Sequence, residues 1–113
     1  MSLLAEVKAI IETCKIPVET GVFSDVPPAT YAVMTPLSDS FDIHADNQPG
    51  VDVQEVRLSL FCKENYLKTK NQLVKAMLNA DITITNRRYI GHEDDTSYHH
   101  YVIDVAKSYV WED

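Results

Sequence analysis

Glycine and cysteine are both scarce in this sequence. Its three glycines, Gly21, Gly50 and Gly91, are too scattered to form a glycine-rich loop that binds phosphate. The two cysteines, Cys14 and Cys62, lie far apart and give no support for a disulfide. We expect both to be reduced thiols in the core, where a free cysteine behaves as a small apolar residue.

Positive charge is also in short supply. Ten lysines and arginines stand against 17 aspartates and glutamates, which gives a net charge of −7. Proteins that hold nucleic acid through its phosphates need clustered lysine and arginine, so this balance argues against a gripping nucleic-acid interface. It still allows DNA to pass close to a repelling acidic wall without sequence-specific binding.

Long apolar runs are missing as well. No stretch approaches the ~20 residues that span a bilayer. The first residues lack the basic region and apolar run of a signal peptide. We therefore expect no membrane partner and an origin in a reducing cytosol.

The composition that remains is that of an ordinary folded domain. The 113 residues are enough for one hydrophobic core and too few for two. Apolar residues make up 45% of the chain, which favours folding over disorder. We expect a single domain over residues 1–113.

Two segments have apolar residues at the three- and four-residue spacings of an amphipathic helix. Ser2 is placed to cap the first helix, over about residues 2–15, and Pro17 ends it. Asn65 is placed to cap the second, which ends near Asn79. The predicted apolar stripes are Leu3, Leu4, Val7, Ile10, Ile11 and Cys14, and then Tyr66, Leu67, Lys70, Leu73, Val74, Met77 and Leu78.

The first predicted strands lie between the two helices. A strand over Thr30–Leu37 is followed by a second, half-exposed strand over residues 41–45 and by a turn-rich loop, Asp46–Gly50. The next strand has the clearest alternation, and we expect it to be central in the sheet. Its core-facing residues are Val56, Leu58, Leu60 and Cys62.

The last third of the chain predicts a long hairpin. Strands over Ile82–Ile90 and Tyr98–Trp111 enclose a charged tip, Gly91–Ser97. Strands in which apolar and polar side chains alternate have one apolar face that must be covered, and the two amphipathic helices can cover it. The fold class is therefore α+β, a two-layer sandwich whose mostly antiparallel sheet is covered on one face by two helices.

No residue pattern in this hairpin predicts catalysis, a cofactor or a metal site. The histidines and carboxylates near the tip do not have the spacing of a named metal motif. His99 and His100 are neighbours on a strand, so only one of them could join His92. We interpret this cluster as a solvated hairpin tip. Asp104, inside the last strand, is interpreted as a paired or an edge carboxylate, with Lys107 and Arg57 as possible partners.

Five residues of the hairpin are candidates for a protein interface. Arg87 and Arg88 are the only adjacent basic pair, and charged pairs with a neighbouring acidic subunit suit them better than nucleic acid. Tyr101, Tyr109 and Trp111 share one strand face. Aromatic residues at such positions fit a core and an interface equally well.

Several segments resemble a known protein family. They are Thr30–Leu37 followed by Ala45–Asn47, the strand that runs into a helix over Glu55–Tyr66, and Arg88–Ile90 followed by Glu93–Tyr101. Together they resemble the small tail-completion or tail-terminator proteins of long-tailed phages and prophages of Gram-positive bacteria. The resemblance covers about residues 3–111, and its motifs are diffuse.

The resemblance implies an assembly role. Such proteins have a two-layer fold and form a ring, commonly a hexamer, at the head-proximal end of the tail tube. The ring ends tube polymerisation and meets the head-completion or connector protein, while DNA passes through its lumen. The location implied is the virion tail or neck, after assembly in the host cytoplasm. The family has no enzymatic residues to transfer.

Three alternatives stay open from the sequence. One is another neck component of a phage, a head-closure or head–tail joining protein of similar size. Another is a small metal-dependent enzyme that uses His92, Glu93 and His99. The third is a small soluble regulator that forms a stable dimer.

Overall fold

Two helices and five strands form the part of the chain that the computed structural model describes, which comprises residues 2–21, 28–43 and 49–110. In chain order these elements are α1 (Leu3–Thr13), β1 (Val18–Thr20), β2 (Thr30–Ile43), β3 (Pro49–Cys62), α2 (Tyr66–Asn79), β4 (Thr83–His92) and β5 (His99–Val110).

The five strands form one mixed sheet in the order β1-β2-β3-β5-β4. Only β1 and β2 are parallel, and the other three pairs are antiparallel. Buried residues of both helices belong to one core cluster with the inward-facing residues of the strands. The α+β class and the mostly antiparallel sheet are therefore confirmed.

Both helices begin at the predicted caps. The Ser2 Oγ accepts a hydrogen bond from the amide of Ala5 at 3.3 Å, and the Asn65 Oδ1 accepts one from the amide of Lys68 at 3.4 Å. Each oxygen satisfies an amide that has no partner within its helix.

Both helices also end in the same way, with non-glycine residues in the left-handed conformation. Lys15 has a φ of 61° and Asp81 a φ of 60°. The amide of the next residue, Ile16 or Ile82, donates to the carbonyl five positions earlier, at 3.4 and 3.1 Å respectively. Ile16 and Ile82 are buried in the core, so each helix end is fixed by a hydrogen bond and an apolar contact together.

Strand β3 is central, as its alternation predicts. Leu58 is fully buried and lies between Met34 on β2 and Ile103 on β5. The predicted core-facing residues of β3 are all buried, namely Val56, Leu58, Leu60 and Cys62. The helical stripes are less complete, because Leu67 and Leu78 on α2 are 49% and 56% exposed.

The predicted break between the strand over Thr30–Leu37 and the strand over residues 41–45 is wrong. Residues 30–43 form one strand, with a register irregularity after Pro36 in place of a strand end. The next strand begins at Pro49, inside the segment that the sequence suggests is a loop. Residues 44–48, which include the end of the predicted strand over residues 41–45 and the first part of that loop, lie outside the described residues.

Strand β3 explains this continuity, because it provides hydrogen-bonding partners along the whole length of β2. Strand β1 pairs with β2 only over Ala32–Met34. Beyond that point β2 has no second neighbour among the described strands, so the missing amide proton of Pro36 costs no pairing there. Residues 35–40 are exposed.

Replacement of Leu58 by aspartate tests this register. The carboxylate would be buried without a partner in the centre of the core, at a cost of about 4 kcal/mol or more, which is comparable with the stability of a small domain. We expect the variant to lose soluble expression and cooperative thermal unfolding by circular dichroism. Leu67→Asp, at an exposed position on α2, is the control and should unfold like the original chain. Cooperative unfolding of Leu58→Asp near the original temperature would contradict the register.

Candidate assembly surface

Besides the outer edge of the three-residue strand β1, the sheet leaves two longer strand edges without partners among the described residues. One is β4, the last strand in the sheet order. The other is the part of β2 beyond Met34, where pairing with β1 ends. We call β4 the arginine edge and residues 35–43 of β2 the aspartate edge. They lie on opposite sides of the sheet and offer backbone groups for pairing with another strand.

Arg87 and Arg88 give the arginine edge its charge, and both are exposed. Arg87 is in register with Ile103 of the core, whereas Arg88 is in register with Val102 on the helix-free face. The two side chains therefore point to opposite faces of the sheet, as predicted. Neither arginine forms an ion pair with another residue in the described part of the chain.

The aspartate edge carries the opposite charge. Residues 35–43 include Asp39 and Asp42 and no lysine or arginine, whereas β4 has no carboxylate. Asp39 is exposed and in register with Gln54. Each edge thus has a single sign of charge in a chain where acidic residues outnumber basic ones.

The candidate interface aromatics lie on the helix-covered face. Tyr101 is 8% exposed and belongs to the core cluster, with its ring 6.1 Å from that of Tyr66 on α2. The hydroxyl of Tyr109 donates to the Glu6 Oε2 on α1 at 2.7 Å. In the single chain both tyrosines therefore connect the sheet to the helices. Trp111 lies outside the described residues.

Asp104 is paired, and its partner is Arg57. The Arg57 Nε lies 2.8 Å from one carboxylate oxygen, and a second guanidinium nitrogen lies 3.1 Å from the other. The hydrogen bond from Arg57 holds the pKa of Asp104 below its usual value, although burial acts in the opposite direction. This pair links β3 to β5 on the helix-free face.

Lys107, the other partner considered for Asp104, contacts α1. Its Nζ lies 3.0 Å from the Glu6 Oε2. The hydrogen bond from Tyr109, together with Lys107, lowers the pKa of Glu6. Burial of the phenol, and then the same contact with Glu6, raise the pKa of Tyr109. Helix α1 is therefore fixed to β5 by a charged cluster at the margin of the core.

The histidines near the hairpin tip form contacts without a metal-ligand set. The rings of His92 and His99 are 4.7 Å apart, and the His92 Nδ1 lies 3.5 Å from the Asp94 Oδ1. The His99 Nδ1 shares a hydrogen bond with the hydroxyl of Tyr89 at 2.9 Å. Within residues 2–21, 28–43 and 49–110, no three histidine, cysteine or carboxylate side chains are grouped as metal ligands.

A row of stacked rings on the helix-free face is a feature that the sequence analysis missed. Tyr31, Phe61 and His100 are in register on three adjacent strands, with ring centroids 4.8 and 4.3 Å apart. Tyr98 meets the rings of Tyr31 and Phe61 edge-on. Burial in this row lowers the pKa of His100. Strand alternation places Tyr31 and Phe61 opposite the core, and that signal could have revealed the row.

The Arg57–Asp104 pair predicts a pH-dependent stability difference. We expect Asp104→Asn to lower the free energy of unfolding at pH 7 by about 1–3 kcal/mol, because a charge-assisted bidentate contact is lost. The folded-state pKa of Asp104 lies below its unfolded value of about 4, so this contribution is complete above ~pH 4 and declines as the pH falls through the folded-state pKa.

Urea unfolding from pH 7 to pH 2 measures this difference. The gap between the original chain and Asp104→Asn should narrow below pH 4. Glu12→Gln, at an exposed position on α1, is the matched control and should show no gap at pH 7. A gap for Asp104→Asn that stays constant down to pH 2 would contradict the assigned role of the ion pair.

No helix in the described ranges is long and apolar enough to cross a membrane.

Comparisons with known proteins add no family assignment. The sequence matches no model of a known protein family, and a search of curated protein sequences gives no significant match.

Proposed function

We propose that this chain is a structural subunit of a long-tailed phage or prophage, which assembles into a ring at the end of the tail tube. In the virion the ring would end the tube and join it to the head-completion or connector protein. Assembly would take place in the host cytoplasm.

The observation that carries this proposal is the pair of open edges. A sheet with one unpaired edge on each side can bind another copy at each edge. When one edge of a copy binds the opposite edge of the next copy, the contact is head-to-tail. Such contacts close into a ring when the rotation between copies allows it. The resemblance of the sequence to tail-completion proteins supplies the role of that ring.

The dimensions of the chain are compatible with a hexamer around DNA. The chain measures 54 × 26 × 23 Å along its principal axes. Six copies placed side by side across the 26 Å dimension would give a ring about 50 Å in diameter at its centre line, with an opening of roughly 27 Å after the 23 Å depth is subtracted. A DNA duplex fits such an opening.

The charge of the chain is compatible with the passage of DNA. With a net charge of −7 per copy, an acidic lumen would repel the phosphates and keep DNA from binding to the wall. In this proposal DNA is a molecule that passes through the ring, and the tail-tube protein is the partner.

Solution mass and imaging test the proposal. We expect light scattering to give a mass that rises to a closed oligomer with concentration, and negative-stain images of the same sample to show rings with an open centre. When the purified tail-tube protein of the same phage genome polymerises, added chain should bind the tube ends and shorten the tubes.

Two outcomes separate the alternatives. A chain that leaves tube length unchanged and instead copurifies with the head connector would be a head-closure protein. A strict monomer that binds neither tube nor connector would contradict an assembly role altogether.

A further inference from the structure

The two open edges match each other in charge. The arginine edge contains Arg87 and Arg88 without a carboxylate, and the aspartate edge contains Asp39 and Asp42 without a basic residue. Opposite charges on directly facing strands stabilise their pairing, whereas like charges there destabilise it. Each edge is therefore suited to the other edge of a second copy and unsuited to its own.

The two edges also match in direction and in face. Strand β4 is antiparallel to β2 across the sheet, because the three pairings from β2 to β4 are all antiparallel. A second copy added in the same orientation would therefore place its β2 antiparallel to β4. Arg87 and Asp39 both fall on the helix-covered face, through their register with Ile103 and Gln54, so they would meet on one face of the joined sheet.

Strand β1 determines where along β2 this contact can occur. It already occupies the edge of β2 at Ala32–Met34. An incoming β4 can therefore pair only with the part of β2 beyond Met34. The available part begins at Thr35, so the joined copies must be displaced along the strand direction.

The size of that displacement follows from the register. Arg87 is level with Ile103 on β5, whereas Asp39 is level with Gln54 and thus with Lys107. These two levels are four residues apart, or about 13 Å at the usual rise per residue. A stagger between strands is a geometric requirement of sheets that close on themselves, so the displacement is consistent with a closed ring.

We propose that β4 of one copy pairs antiparallel with residues 35–43 of β2 in the next copy, with Arg87 beside Asp39. The partner at each edge is thus a second copy of this chain. This inference rests on the proposed ring, and it specifies the contact that forms it. The joined sheets would run without interruption from copy to copy.

Exchange of the edge charges tests the pairing. The first variant, Arg87→Asp with Arg88→Asp, and the second, Asp39→Arg with Asp42→Arg, each place like charges on the two edges of one chain. We expect each variant alone to weaken self-association by about tenfold or more, because attraction becomes repulsion. An equal mixture of the two should recover assembly in alternating copies, since their edges are again complementary.

The matched controls change the same net charge away from the edges. Lys68→Asp with Lys75→Asp reverses two exposed cations of α2, and Glu12→Arg with Glu64→Arg reverses two exposed carboxylates. Both controls should assemble like the original chain. Sedimentation velocity of each protein and of the mixture, over a range of salt concentrations, gives the association constants.

Each outcome decides the pairing separately from the proposed function. Recovery in the mixture, with control variants unaffected, supports the pairing. If the original chain forms rings but the mixture does not recover, another surface forms the ring and only the pairing is overturned. If the original chain stays monomeric at its highest soluble concentration, the pairing is also overturned. The charged residues on the two edges would then serve to prevent aggregation between sheets. The tube-length assay decides the phage role independently of either result.

Discussion

The central position of β3 is the constraint on which the rest of this structure depends. This strand pairs with β2 on one side and with β5 on the other over nearly its whole length. Its inward-facing residues lie beneath both helices, and Arg57 on its other face holds Asp104 of β5. A one-residue slip of β3 would move its apolar residues to the helix-free face and separate this ion pair. The register of the whole sheet is therefore fixed from the middle.

The open edges follow from that arrangement. Because β2 is 14 residues long while β1 is only three residues long, most of β2 has no second partner among the described strands. After β4 the chain reverses, and β5 pairs between β3 and β4. Strand β4 therefore lies at the other margin of the sheet. The same topology that builds one core thus exposes two backbone edges, and the charges on them favour contact between unlike edges. Assembly is the function that we propose for this geometry.

Much of the fold can be predicted from the sequence, because the local signals for helix caps and strand alternation agree with which side chains are buried in the core. The caps at Ser2 and Asn65 and the alternation in β3 locate three elements correctly. The continuity of β2 could not be predicted, since Pro36 is a local breaker and only pairing with β3 overrides it. The face of Arg87 and Arg88 followed from alternation, but the aspartate edge did not, because it depends on how short β1 is. Nothing local in the sequence reports the length of a neighbouring strand.

Hydrogen–deuterium exchange on the assembled and the dissociated protein tests the account most directly. Edge amides exchange freely while they face water and become protected when they donate to a neighbouring strand. We expect assembly to add protection in Thr83–His92 and in residues 35–43, and to leave the exchange of the central strand β3 unchanged. Protection that appears on the helices or on the row of stacked rings, with both edges still exchanging freely, would contradict it.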